Sequence, residues 1–313
     1  MGVGMNVLIT GSGGPAGINA LRFLPPHIQR IACDADENAK QRMEEAGVAN
    51  IKFYNVPPAN HPEFLKALKK ILKKENIDMV IPTVDEELLI LAEKQKEMGA
   101  KVIISPYETI RTCNDKFLLY EVFKGFDFCP KYLVTESRED LLDFFGRDKV
   151  LVKPRISRGS RGVYVFETPE AVPGELITEK NIFCEYLPGR EYTVDALCDL
   201  EGNLVLAIPR LRVKTEKGVS IHGKTERNNE ILRCVEKTCN TLKFIGPINI
   251  QFKYDSKEKP KLVEINPRLS GGFPITVASG LNPLEILFRM IEGERIDKET
   301  LVWFEKEFKH QRV

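Results

Sequence analysis

Short apolar runs alternate with longer helical patterns through the first 110 residues. The short, β-branched runs lie at residues 6–10, 30–33, 79–82 and 101–104, and segments rich in Ala, Leu, Lys and Glu lie at 15–24, 37–47, 61–76 and 85–98. Strands that alternate with helices of about ten residues or more are typical of βαβ units, whose strands form a parallel sheet. The sequence therefore predicts an α/β domain that ends near residue 110.

Two strand pairs, each joined by a polar turn, mark the second half of the chain. The first pair flanks the turn at 201–203, the second flanks the turn at 255–260, and a helical pattern at 228–242 separates them. Hairpins that neighbour helices predict an α+β domain distinct from the first.

Composition excludes several classes of protein. The chain has 46 Lys and Arg residues against 45 Asp and Glu residues, so its charge gives no overall attraction to nucleic acid or to an anionic membrane. No apolar run reaches the roughly 18–20 residues that span a bilayer, and residues 1–4 show no signal-peptide pattern. The seven cysteines are scattered and never form C-x-x-C, which favours reduced thiols. We therefore expect a cytoplasmic protein without nucleic-acid or membrane partners.

A glycine-rich loop follows the first strand and opens a helix. Gly11, Gly13 and Ala16 fit G-x-G-x-x-A, and the acids Asp34 and Asp36 follow some twenty residues later. This pattern is typical of a dinucleotide site, where glycines let the backbone approach a pyrophosphate and an acid holds the ribose. The same geometry also suits another anionic or carboxylate ligand, or a tight turn alone.

A lysine at the end of an apolar run precedes a loop of Gly, Ser and Arg. Lys153 ends the run 150–153, Pro154 terminates it, and residues 156–162 read I-S-R-G-S-R-G. Backbone N–H groups, hydroxyls and guanidinium groups in such a loop can bind phosphate oxygens. The alternative is a solvated basic hairpin turn.

Oxygen ligands gather near the second strand pair. If the two strands pair antiparallel, Gln251, Glu264 and Asn266 meet at one rim, and strand alternation places Val263 and Ile265 on the opposite face. Carboxylate and amide oxygens suit Mg²⁺, which takes its remaining ligands from substrate phosphates. Arg268 would add a fixed positive charge for a transferring phosphoryl group. The alternative is a polar strand face with a rim salt bridge.

These residues resemble those of the ATP-grasp proteins, in particular the branch similar to the large subunit of carbamoyl phosphate synthase. The most specific similarity is N-I-Q-F at 249–252 with V-E-I-N-P-R at 263–268, supported by D-K at 115–116, V-K-P at 152–154 and C-E-Y-L-P-G-R-E at 184–191. The resemblance implies a Rossmann-like pre-ATP-grasp domain at 1–110, followed by an ATP-grasp small lobe at 111–188 and large lobe at 189–313. Unlike carbamoyl phosphate synthases, which carry two grasp copies, this chain carries one.

The resemblance also implies roles by position. The residues expected to bind ATP are Lys116 and Lys153 at the phosphates, Ser157, Gly159, Ser160 and Gly162 in the loop that closes over them, Glu185, Tyr186 and Leu187 at the adenine, and Glu191 at the ribose. Gln251, Glu264 and Asn266 would bind one or two Mg²⁺ ions, with Mn²⁺ as a substitute, and Gln251 would also face the nucleotide. Arg268 and Lys153 are the catalytic candidates, together with His222 near the acyl phosphate.

The resulting prediction is an ATP- and Mg²⁺-dependent carboxylate–amine or carboxylate–thiol ligase that forms an acyl phosphate and releases ADP. The residues expected on the substrate side are Gly11, Gly13, Gly14, Arg212, Arg268, Ser270 and Gly271. Two other functions stay open: carbamoyl-phosphate-synthase-like phosphorylation of bicarbonate or carbamate, and an NAD(P)-binding oxidoreductase that uses the glycine loop. An ATP-binding regulator without turnover and a homodimer are also compatible with the sequence.

Overall fold

The structure is a computed structural model that describes residues 4–157, 161–216 and 218–309. Its first part alternates strands and helices: β1 (Asn6–Ile9), α1 (Pro15–Phe23), β2 (Gln29–Asp34), α2 (Ala39–Glu45), β3 (Lys52–Asn55), α3 (Phe64–Lys74), β4 (Met79–Ile81), α4 (Asp85–Lys94) and β5 (Lys101–Val102). The strands form a parallel sheet in the order β3-β2-β1-β4-β5. The predicted α/β unit is confirmed.

Helices α5 (Tyr107–Asn114) and α6 (Lys116–Val122) lead into a smaller sheet. Its elements are β6 (Tyr132–Leu133), α7 (Arg138–Phe145), β7 (Val150–Pro154), β8 (Tyr164–Phe166) and β9 (Asn181–Glu185). The four strands pair antiparallel in the order β6-β9-β7-β8. Helix α6 begins where the Asp115 side chain accepts a hydrogen bond from the backbone N–H of Phe117, which satisfies an otherwise unpaired donor of the first turn.

The remainder of the chain forms a six-stranded antiparallel sheet. It comprises β10 (Glu191–Cys198), β11 (Leu204–Glu216), β12 (Val219–Thr225), α8 (Asn229–Thr241), β13 (Gly246–Tyr254), β14 (Pro260–Asn266), α9 (Phe273–Val277), α10 (Pro283–Ile291) and β15 (Glu307–Lys309). The strand order is β14-β13-β10-β11-β12-β15. Both predicted hairpins, β10–β11 and β13–β14, are present.

Apolar packing joins the first sheet to the six-stranded sheet. One cluster combines Val7 and Ile18 from the N-terminal part with Leu269, Phe273 and Leu287 from the C-terminal part, and each of these side chains is at most 2% exposed. The N-terminal sheet also has a core of its own on its other face. The two sheets therefore share one buried apolar interface. A site between the sheets is bounded by surfaces that this packing holds in place.

Two further properties bear on the expectations from composition. Among the described residues, no helix has the length and apolar content to cross a bilayer. All seven cysteines are free thiols, and six of them are buried. The absence of disulfides agrees with the scattered cysteine spacing.

Candidate active site

A cavity of about 510 Å³ lies where the three sheets approach one another. Helix α6, strand β7, the face of β10 to β14 and the segment after β14 supply most of its lining. The sequence-predicted residues that line it are Lys116, Lys153, Ser157, Glu191, Arg212, Gln251, Glu264, Asn266, Arg268, Ser270 and Gly271. The fold thus brings together most of the residues expected at the phosphates, the metal and the substrate.

Two buried ammonium groups lie in the cavity where the sequence predicts phosphate binding. Lys116 and Lys153 are 6% and 7% exposed. The Nζ of Lys153 donates to the hydroxyl of Tyr120 at 3.0 Å, and the Nζ of Lys116 donates to the backbone and side-chain oxygens of Ser157, both at 3.2 Å. Burial, together with the positive charge of Lys153, lowers the pKa of Lys116. Because burying like charges together is costly, an anion between them would be stabilised.

The β13–β14 hairpin builds the predicted metal rim. Its register places Gln251 opposite Glu264 and Asn249 opposite Asn266. Oε1 of Glu264 accepts hydrogen bonds from the side-chain amides of Gln251 at 2.8 Å and Asn266 at 3.1 Å. The three predicted ligands therefore converge on one carboxylate oxygen.

The side chains at this rim suit a hard cation that takes its remaining ligands from a phosphate. One carboxylate and two amide oxygens suit Mg²⁺, and nucleotide phosphates would complete its coordination. Within the described parts of the chain, no group of three or more His, Cys, Asp or Glu side chains is arranged to hold a metal alone. The Glu264 carboxylate and its two amide neighbours would leave the other positions of a cation to phosphate oxygens.

The expected alternation along β14 is wrong at Val263. The pairing of β13 and β14 shifts between Gln251 and Phe252, where a bulge leaves Val263 outside the regular register. Consequently Val263 lines the cavity together with Glu264, whereas Leu262 and Ile265 are buried in the core. A bulge of this kind re-aims a side chain and bends the strand locally.

Arg212 connects two residues that the sequence predicts to bind the nucleotide or its metal. Its Nη1 lies 2.8 Å from Oε1 of Glu191 and donates to Oε1 of Gln251 at 2.9 Å. Its side chain is 7% exposed, and burial lowers the pKa of the guanidinium, while the charge of Glu191 opposes that shift. These contacts place Arg212 beside the predicted ribose and metal residues.

The cavity lining also contains Arg210, from the basic stretch 210–218, and Asp85, which the sequence did not single out. Arg210 pairs with Asp195 at 2.8 Å and also donates to Oγ of Ser270 at 3.1 Å. Asp85, the first residue of α4, pairs with Arg268. Asp85 directly follows a parallel strand and its connection, where ligands of α/β sheets commonly bind, so its position carried a usable signal.

The glycine loop lies outside this cavity lining and packs against the protein itself. A Cβ on Gly13 would lie 2.4 Å from Cβ of Ala39, so helix α2 occupies the space beside the loop. The backbone N–H of Gly13 donates to Asp34 at 2.8 Å, and Arg42 donates to the carbonyl of Gly13 at 3.0 Å. These contacts account for a glycine at position 13 without a dinucleotide.

The other two glycines predicted on the substrate side have structural roles as well. Gly11 adopts φ +58°, and its missing side chain leaves room for Val84. Gly14 caps α1 and donates to the carbonyl of Gly11 at 3.2 Å. Contact with the cavity is indirect, since Pro15 abuts Gly271 and the Asn19 amide donates to the Gly271 carbonyl at 3.0 Å.

The remaining predicted residues do not line this cavity, and Glu185 lines a separate cavity of about 670 Å³. The Glu185 side chain accepts a hydrogen bond from the backbone of Lys131 at 2.8 Å, and Tyr186 and Leu187 follow it in the connection to β10. His222 pairs with Glu307 of β15 at 2.5 Å. Gly162 packs against Pro154, and Gly159 and Ser160 lie outside the described residues. Their roles stay predictions.

Two family profiles match the chain, one at each end. Residues 178–313 match the family described as "ATP-grasp in the biosynthetic pathway with Ter operon", and residues 30–104 match "PylC-like, N-terminal domain". The fold and the cavity agree with one class of protein: the chain resembles the ATP-grasp proteins, and its residues 178–313 match one of their families.

Within that class, it is similar to the large chain of carbamoyl phosphate synthase. The chain is 26% identical over 227 residues to that of Agathobacter rectalis and 30% identical over 246 residues to one from Clostridium perfringens. The alignments cover 66% and 72% of this chain but only 21% and 23% of those relatives.

Solved structures share its fold. N5-carboxyaminoimidazole synthetase from Staphylococcus aureus, complexed with ADP, aligns with a TM-score of 0.75 at 16% identity, over 95% of this chain and 80% of that one. Biotin carboxylase from Campylobacter jejuni aligns with a TM-score of 0.74 at 16% identity, over 95% and 73%. The predicted fold class, a Rossmann-like domain followed by an ATP-grasp domain, is confirmed.

Proposed function

We propose that this chain binds Mg-ATP in the cavity and ligates a carboxylate to an amine, or to a thiol, with release of ADP and phosphate. The observation that carries the proposal is one cavity lined by two buried lysines, the Glu264 rim and Arg268. Few reactions use phosphate-binding cations, side chains that bind Mg²⁺ and a further guanidinium in one cavity. Phosphoryl transfer uses all three.

In the proposed reaction, a substrate carboxylate oxygen attacks the γ-phosphorus of ATP, and the bond to ADP breaks. An amine then attacks the carbonyl carbon of the acyl phosphate, loses a proton to solvent, and inorganic phosphate leaves. Lys116 and Lys153 hold the phosphate oxygens, and Arg268 stabilises the charge on the phosphoryl group in transit. Glu264, Gln251 and Asn266 would hold Mg²⁺, or Mn²⁺ in its place, and the cation would neutralise phosphate charge.

The names of related proteins support this class of chemistry and suggest which acids to test. They include carbamoyl phosphate synthase, N5-carboxyaminoimidazole synthetase and an L-amino acid ligase from Bacillus licheniformis. Bicarbonate and amino acids are therefore the first carboxylates to assay. Phosphorylation of bicarbonate or carbamate would be the first step of the same reaction with the smallest acids. We further propose that the protein acts in the cytoplasm and forms a homodimer.

The proposal is tested by binding and turnover of three variants. The unchanged protein should be stabilised by Mg-ADP or Mg-ATP and not by NADPH, and should release ADP when the correct carboxylate and amine are supplied. Lys153→Ala should lose nucleotide binding, because its ammonium is buried at the phosphate end. Glu264→Ala should remain folded and lose turnover, because its rim loses the only carboxylate of the predicted ligand set.

Lys237→Ala is the matched control, because Lys237 is exposed on α8 and pairs with Asp127 at the surface. It should bind nucleotide like the unchanged protein. Stabilisation by NADPH alone, or near-normal turnover by folded Glu264→Ala, would contradict the proposal.

A further inference from the structure

The Arg268 guanidinium is fixed by an ion pair with Asp85. Its Nε and Nη2 donate to the two carboxylate oxygens of Asp85 at 2.8 and 2.7 Å, and its Nη1 donates to the carbonyl of Leu269 at 3.0 Å. All three guanidinium nitrogens are therefore engaged. A bidentate pair of this kind sets the plane of the guanidinium as well as its position.

The two partners come from different parts of the chain. Asp85 begins α4 in the N-terminal domain, whereas Arg268 follows β14, 183 residues later. Both line the cavity, and their side chains are only 12% and 18% exposed. The ion pair is thus largely screened from water and spans the interface between the two sheets.

The backbone that carries Asp85 is itself held in place. Oγ1 of Thr83 donates to the carbonyl of Thr10 at 2.8 Å, which ties the β4–α4 connection to the neighbouring strand. Val84 fills the space left by Gly11, where an added Cβ would lie 2.6 Å from a Val84 methyl carbon. The glycine loop therefore supports the turn that presents Asp85.

We propose that Asp85 is a positioning residue, by which the N-terminal domain holds Arg268 in place for the transferring phosphoryl group. This inference rests on the proposed function. Asp85 contacts no reacting atom in this scheme and acts through Arg268. Its removal should weaken binding of the transition state and leave ground-state nucleotide binding intact.

Mg-ADP with and without aluminium fluoride separates these two effects, because the fluoride complex imitates the phosphoryl group in transit. Titration calorimetry would measure both dissociation constants for the unchanged protein, Asp85→Asn, Asp85→Glu and the control Glu93→Gln, which is exposed on the same helix and pairs with Lys94 at the surface. We expect Asp85→Asn to bind Mg-ADP within about twofold of the unchanged protein and the fluoride complex at least about tenfold more weakly. Asp85→Glu should recover part of that loss, and Glu93→Gln should match the unchanged protein.

The possible failures are distinguishable. No Mg-ADP binding by the unchanged protein would overturn the proposed function, and this inference with it. Normal Mg-ADP binding that aluminium fluoride does not tighten would contradict a positioned Arg268 and overturn the inference alone. Asp85→Asn would also overturn it by binding the fluoride complex normally, or by losing both ligands equally, since the second result means a purely structural role.

Discussion

At the scale of single residues, the main feature of the cavity is its set of buried guanidinium groups. Among the described residues, Arg210 is the largest of those whose side chains are fully buried, and it is 1% exposed. It pairs with Asp195, while Arg212 pairs with Glu191 and Arg268 with Asp85. Because each of these three guanidinium groups has its own carboxylate, removing one partner leaves the other charge uncompensated. Substitutions in this cavity should therefore have effects beyond the side chain that is lost.

Arg212→Ala should weaken Mg-ADP binding. The substitution removes the partner shared by Glu191 and Gln251, and buried hydrogen bonds to a charged group contribute about 1.5–3 kcal/mol, or tenfold or more in affinity. Titration calorimetry against Arg233→Ala, an exposed arginine on α8, measures the difference. If Arg212→Ala binds Mg-ADP normally but changes the use of the acid substrate, Arg212 belongs to the substrate side, as the sequence analysis expected.

The glycine loop shows how one motif can arise from packing between elements. Gly13 faces α2 and Gly17 faces the turn before α1, where an added Cβ would lie 2.4 Å from Ala39 and 2.4 Å from the carbonyl of Gly11. Close packing around the loop thus selects a glycine at position 13, as a dinucleotide would, and also a glycine at position 17, which lies outside the fingerprint. The fingerprint predicts the strand–turn–helix geometry and leaves its ligand undetermined.

Gly13→Ala and Gly14→Ala form a matched pair at this element. The first should lower the melting temperature by a few degrees, because its methyl group meets the Ala39 backbone, and overpacking costs about 1–3 kcal/mol. The second should leave stability almost unchanged, because its nearest neighbour would be 3.6 Å away and its φ of −84° suits alanine. Equal melting temperatures for the two variants would contradict this account of the loop.

Local patterns predicted some parts of the site well and could not predict others. Period-2 alternation and a polar turn gave the β13–β14 pairing, and hence the meeting of Gln251 with Glu264. The bulge at Val263 was missed because alternation assumes an unbroken register. The Asp85–Arg268 pair was missed because 183 residues separate the partners, and no local spacing reports a contact across two domains.

At the scale of the whole molecule, the shared apolar cluster makes the N-terminal and C-terminal parts depend on each other. The protein's single tryptophan, Trp303, lies in this cluster with Val7 and Ile18. Its fluorescence therefore reports on a core built from both ends of the chain. A separate cluster under β7 contains Leu141, Phe145 and Val150, so the smaller sheet has a partly independent core.

Leu68→Ala should lower the denaturant midpoint seen by Trp303 fluorescence, although Leu68 lies in the other core of the N-terminal domain. Removing the buried Leu68 side chain leaves a cavity that lowers the free energy of unfolding by about 2–5 kcal/mol. Because coupled parts of a protein unfold together, the Trp303 signal should shift as well. Lys70→Ala, exposed on the same helix, is the control. A lowered circular-dichroism midpoint with an unchanged Trp303 midpoint would show that the two parts unfold separately.

The apolar cluster shared by the two parts of the chain also affects the order in which substrates would bind. Since Asp85, Arg268 and the Ser270–Gly271 backbone sit on surfaces joined by that cluster, this end of the cavity exists before any nucleotide arrives. A small acid could then occupy it in the empty protein, and the two substrates could add in either order. Libraries of carboxylic acids can accordingly be screened by ligand-observed NMR without nucleotide, using Asp85→Asn protein to recognise compounds that depend on this end.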